Sequence, residues 1–107
     1  MTNAYLATKV SFSNEIKQIC DKLDIDYDKV VEYATLDERL GKTHLSVPGP
    51  DGDLGFGGHC LPKDINALIN VAHELGVEVE VLESVVETND KVRENRDWEE
   101  MKGRAVI

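Results

Sequence analysis

Along residues 2–23 the apolar positions Tyr5, Leu6, Val10, Ile16, Ile19, Cys20 and Leu23 recur mostly at intervals of three or four. That is the period of a helix buried along one side, so the spacing predicts a long first helix. Lys22, Asp24 and Asp26 interrupt the stripe. Asp28, read as an N-cap, then opens a short second helix through Val30, Val31, Tyr33 and Ala34, which completes a helical hairpin. From about residue 37 to residue 60 no period holds. This stretch contains VPGPDGDLGFGG, whose two prolines and five glycines exclude regular helix or a central strand. A structureless loop of this length in a small domain is usually functional or disordered.

Periodicity returns after Pro62, which suits the first turn of a helix because its missing N–H would have no helical partner there. Ile65, Leu68, Ile69, Ala72 and Leu75 form the apolar face of this third helix, and Gly76 is its natural stop. Val79, Leu82, Val85, Val86 and Val92 make a fourth stripe, ending near the charged run ENRDWEEMKGR. Alternation in VEVEVL also fits a strand, but the helical spacing continues beyond it and decides for helix. The expected fold is all-α: about four helices, the first one long, around a long glycine- and proline-rich loop.

With 107 residues the chain is the size of one domain with a modest core, and 41% hydrophobic with 31% charged residues fits a folded soluble chain. A net charge of −9 with no basic run argues against nucleic acid or an anionic membrane as partner. The two cysteines, Cys20 and Cys60, lie far apart in unlike contexts, which points away from a disulfide framework and toward a reducing compartment, the cytoplasm. No signal peptide and no run of about 18 apolar residues is present.

The candidate chemistry sits in LGFGGHCLPKD, residues 54–64. A thiol just before a helix start lies in the positive end of the helix field, which favours the nucleophilic thiolate. Gly57 and Gly58 let the backbone approach a ligand, Lys63 adds positive charge, and Asp64 lies in the first turn of the same helix. The same residues also read blandly, with Cys60 as a small buried hydrophobe, Asp64 complementing the helix dipole and Lys63 solvated. His59 adjoins Cys60, yet neighbours in an extended segment point to opposite sides, so adjacency does not make a nucleophile–base pair. His44 and His73 show no zinc-type spacing with the cysteines, and no metal site is expected. Cys20 reads as a core filler and His73 as a surface or boundary residue.

Three segments resemble one family: NAYLATKVSFSNE at residues 3–15, LDERLG at 36–41 and GFGGHCLPKD at 55–64. In this order they are similar to the central domain of the nucleotide-sugar dehydrogenases, the UDP-glucose and GDP-mannose 6-dehydrogenases, more so to the UDP-glucose branch. The resemblance runs from Asn3 to about Asn89. It implies a two-step, NAD-dependent oxidation of the sugar's primary alcohol to a carboxylate through a cysteine thiohemiacetal and thioester. Cys60 would be the nucleophile, while Asp64 and Asn3 would orient water and stabilise the oxyanion. Lys63 would lie beside the cofactor, with Cys60 close to the nicotinamide. Phe56 and Gly57 would hold the nucleotide end of a UDP-sugar. Arg39 resembles an arginine donated across a homodimer interface to the partner's substrate, with the long first helix as the seam, and Asn14 resembles a residue that touches ligand in the same manner in the GDP-mannose branch.

The chain departs from that pattern. It has no GxGxxG followed by a helix, so the dinucleotide-binding domain is absent. The family's catalytic lysine, four residues before the equivalent of Asn3, would precede Met1, and the C-terminal nucleotide-binding domain of longer members is not expected within these residues. VPGPDGDLG is longer and richer in proline than the substrate loop of many members. The expectation is a central dimerisation and substrate-binding domain, excised or naturally short, inactive alone. Two other readings compete with it: a helical dimerisation module with an inert cysteine, and a Cys–His acyl transferase.

Overall fold

The computed structural model describes residues 1–58 and 60–94, and among them every regular element is helical. Helix α1 spans Thr2–Lys22, α2 Tyr27–Ala34, α3 Cys60–Glu74 and α4 Glu80–Val92, with a single 3₁₀ turn at Glu38–Leu40 inside the long connection. His59 lies outside the described residues, as does the charged run from residue 95 onward.

The helix boundaries follow from local chemistry. The N-cap of α2 is Asp26 rather than Asp28: its carboxylate accepts the Asp28 N–H at 3.0 Å, so Asp28 is already inside the first turn. Pro62 does stand in the first turn of α3. That helix ends as its glycine suggests: Gly76 has φ +72°, its N–H reaches the His73 carbonyl at 3.0 Å, and the Val77 N–H reaches Ala72 at 2.9 Å. The same pair of bonds closes α1, where Ile25 N–H meets the Cys20 carbonyl at 2.8 Å and Asp24 N–H meets Asp21 at 3.3 Å. There the left-handed residue is Asp24, at φ 57°. VEVEVL divides in two: residues 77–79 carry no regular structure, Val79 serving as N-cap, and α4 begins at Glu80.

Helix α1 corrects the expectation drawn from its apolar stripe. Its buried side is Ala4, Ala7, Ser11 and Asn14, spaced by three and four residues, whereas Tyr5, Phe12, Ile19 and Leu23 are more than half exposed. The small side chains let α3 and α4 come close, and Ser11 Oγ donates to the Val85 carbonyl of α4 at 2.8 Å. Ile65 and Ile69 of α3, Val85 of α4 and Phe56 of the loop complete this main core.

A second cluster gathers Cys20, Tyr27 and Val47, with Ile16, Val30 and Val31 packed against it. Cys20 is therefore the core residue it was read to be. The long connection is thus pinned in two places: Val47 enters the α1–α2 cluster and Phe56 enters the main core. The Tyr27 hydroxyl also donates to the Leu45 carbonyl at 2.6 Å; burial pushes its pKa above the ordinary tyrosine value.

Candidate functional site

The connection walls a cleft of about 580 Å³, lined by Val10, Phe56 and Leu61 on its apolar side and by Thr43, His44 and Ser46 among its polar residues. The size lies in the range of small-molecule pockets. Gly57 and Gly58 also line it, and Gly58 has φ +77°, a conformation that favours glycine. The lining reaches Gly58 and Leu61, on either side of Cys60 in sequence.

Cys60 is the first residue of α3 and is exposed. That position places the sulfur at the end of the helix where N–H groups lack helical acceptors. Asp64 follows one turn later, on the same face of the helix, with Cβ atoms of such pairs about 5–6 Å apart. Across from it, at the start of α1, the Asn3 amide donates to Asp64 Oδ2 at 2.7 Å. Three residues named from the sequence, 61 positions apart at the extreme, are thereby brought to one spot. Lys63 is exposed on the same first turn.

Phe56 differs from Gly57 in being a core residue, 5% exposed, that also borders the cleft. Arg39 is not among the lining residues. It stands on the 3₁₀ turn with its side chain 89% exposed, and its guanidinium forks onto Asp37, Nε to Oδ1 at 3.0 Å and Nη2 to Oδ2 at 2.7 Å. The pairing holds the Asp37 carboxyl below its ordinary range and raises Arg39. Lys9 of α1 ties the turn down through the Leu40 carbonyl at 3.0 Å.

Asn14 is buried at 3% and serves the loop from below: its Oδ1 accepts the Gly55 N–H at 3.2 Å. His44 lines the cleft, whereas His73 lies 13 residues along α3 from Cys60, about 20 Å away on helical rise, with Nε2 against Glu83 Oε1 at 2.6 Å. Among the described residues no group of three or more metal-ligating side chains forms. No helix there is long and apolar enough to cross a membrane.

Two residues that sequence reasoning passed over hold the loop in place. Asn89, 2% exposed, bonds both main-chain groups of Phe56, and Arg93, 4% exposed, pairs with Asp51 and Asp53. The Arg93 bond keeps the Asp51 carboxyl below its ordinary range. A signal for Arg93 existed in the two loop aspartates, which invite a cation once the loop folds back on the helices.

Comparison with known proteins gives consistent findings. The family model described as UDP-glucose/GDP-mannose dehydrogenase family, central domain, matches residues 1–91. The UDP-glucose 6-dehydrogenase TuaD of Bacillus subtilis strain 168 is 43% identical over 91 residues, which cover 85% of this chain and 19% of that protein. The UDP-glucose 6-dehydrogenase AglM of Haloferax volcanii is 39% identical over 82% of this chain and 19% of its own length. The structure of a UDP-glucose dehydrogenase from the hyperthermophilic archaeon Pyrobaculum islandicum superposes with a TM-score of 0.75 at 36% identity, over 84% of this chain and 20% of that one. The chain thus spans about a fifth of the length of the curated relatives it matches.

Proposed function

The chain belongs to the UDP-glucose/GDP-mannose dehydrogenase family, as its central domain, and from that premise we propose that it supplies the nucleophile, the substrate loop and the dimer seam of an NAD-dependent UDP-glucose 6-dehydrogenase. The observation that carries this reading is the 2.7 Å bond from Asn3 to Asp64, one turn from the exposed Cys60 at the head of α3.

The described residues offer no strand–turn–helix cradle for a dinucleotide pyrophosphate. In this reading NAD is held by another part of the enzyme, and the isolated domain is inactive. In such an enzyme NAD supplies the two hydride acceptances that take the sugar's primary alcohol to the acid level.

The chain's own residues do the rest. At the aldehyde stage the Cys60 thiolate adds to C6, forming a carbon–sulfur bond while the carbonyl electron pair moves to oxygen. After oxidation to the thioester, water attacks the same carbon, the carbon–sulfur bond breaks, and Cys60 leaves as thiolate. Asp64 is read as the group that takes the water's proton, a role supported by the Asn3 amide that donates to its Oδ2 and leaves Oδ1 able to accept. Asn3 thereby orients Asp64 as well as contributing to oxyanion stabilisation. Lys63 belongs on the cofactor side of Cys60. The cleft behind them, with Gly57 and the Phe56 main chain in its wall, takes the nucleotide end of the UDP-sugar.

The exposed row Tyr5, Phe12 and Ile19, seven residues apart on α1, supports a homodimer seam, because a row at this spacing continues along one helix face. Arg39, outside its own cleft and open to solvent, is then read as reaching the partner's substrate, where a planar guanidinium suits anionic oxygens. The exposure of Cys60 disfavours the competing reading of an inert cysteine in a purely structural module.

Replacing Cys60 with Ala in an enzyme that carries this chain with its cofactor-binding part should lower acid formation by about a thousandfold or more, with UDP-glucose still bound. Acid produced at the unaltered rate would show that the nucleophile lies elsewhere.

A further inference from the structure

The roles above fall on the start of α1, the head of α3 and the loop, yet one wall of the cleft is fixed by α4. Arg93 ends that helix with its side chain fully buried, at 0% exposure. Its Nη2 lies 2.6 Å from Asp51 Oδ2, its Nε 3.5 Å from Asp53 Oδ2, and its Nη1 3.5 Å from the Leu54 carbonyl. One turn earlier Asn89 Oδ1 accepts the Phe56 N–H at 2.7 Å, and its Nδ2 donates to the Phe56 carbonyl at 2.9 Å. The side-chain amide thus satisfies both main-chain groups of one residue, as a neighbouring strand would. Gly55 completes the fit: with φ +70°, a Cβ there would lie 2.2 Å from Asn89 Oδ1.

A buried guanidinium is tolerated only when its charge is paired and its donors are occupied, and apolar packing would serve general stability as well. What the polar set adds is direction. Each bond fixes a particular loop atom, and Arg93, Asp51, Gly55 and Phe56 all border the cleft.

We propose that Asn89 and Arg93 are positioning residues for the sugar nucleotide: one in the last turn of α4 and the other its C-cap, they fix the main chain of residues 51–56 and with it the cleft wall against which the nucleotide end binds. This rests on the reading of the cleft as the nucleotide site. Neither side chain touches the reacting carbon; both act through the loop.

The test titrates UDP and UDP-glucose calorimetrically into the full chain and into its Arg93→Met, Arg93→Lys and Asp51→Asn variants, with amide hydrogen exchange at Gly55 and Phe56 followed in the same samples. Arg93→Met should weaken UDP binding by about tenfold and speed exchange at both amides. Arg93→Lys, which keeps the charge without the fork, should fall between it and the wild type. Asp51→Asn, altered on the half-exposed loop side where folding is not at stake, should move binding and exchange in the same direction. Folded variants that bind UDP with the wild-type Kd would overturn the proposal, leaving Arg93 a strut felt only in the melting temperature. A wild-type chain that binds neither UDP nor UDP-glucose would overturn the nucleotide-site reading itself, and the proposal with it.

Discussion

The two sides of α1 reverse the usual assignment of residue types. The side against α3 and α4 is Ala4, Ala7, Ser11 and Asn14, whereas the side facing solvent carries Tyr5, Phe12, Ile19 and Leu23. On the inner side the useful property is small size: Ala7, with no exposed surface, lets backbones approach, and Ser11 and Asn14 spend their polar groups on α4 and the loop. On the outer side the useful property is apolar area, which stabilises nothing within one chain and fits a helix that meets a partner. Hydrophobicity alone therefore does not tell which face of a helix looks inward when one face serves close approach and the other leaves its apolar side chains exposed.

The comparison breaks most sharply at Ala7. Ala7→Leu should destabilise the folded chain by about 1–3 kcal/mol, toward the upper end because two helices crowd the site, measurable as a lower urea midpoint at unchanged slope. Unaltered stability would mean that the inner side tolerates volume and is not a close-approach surface. Phe12→Asp should do the opposite: within about 0.5 kcal/mol of wild type in the stability of the monomer, yet loss of self-association in sedimentation. A Phe12→Asp chain that sediments as a dimer removes the seam from this face. Asp24→Gly gives the smallest effect and serves as the control. It touches neither side but relieves a left-handed non-glycine residue at the end of α1, so a gain of about 0.5 kcal/mol is expected with no change in oligomeric state.

Much of the fold was legible. Pro62 and Gly76 bracket α3 because their constraints are local: one lacks a donor, the other tolerates positive φ. The competition between strand and helix in VEVEVL was rightly decided by spacing that extends past it. The N-cap of α2 was misplaced by one acidic residue, since two aspartates two positions apart carry the same local signal and only the folded backbone shows which carboxylate receives an N–H. The buried face of α1 was not legible, because Ala, Ser and Asn leave no mark in a hydrophobic pattern.

At the site, Cys60, Asp64 and Lys63 could be grouped because they share a few residues of sequence, and Asn3 entered through resemblance to a family motif. Asn89 and Arg93 escaped for a physical reason. Their partners are a main-chain amide, two carbonyls and two loop carboxylates, 33 to 42 residues away, and nothing in a helix-period pattern marks a side chain that serves another segment's backbone.

The grip of Asn89 on Phe56 has one more consequence. Because it reads only the peptide unit, it is indifferent to which side chains the loop displays, provided residue 55 has no Cβ. The path of the loop and its ligand preference are therefore separable properties. Residues such as Thr43, His44 and Ser46, which also line the cleft, can be exchanged while the same amide and the same glycine keep the wall in place.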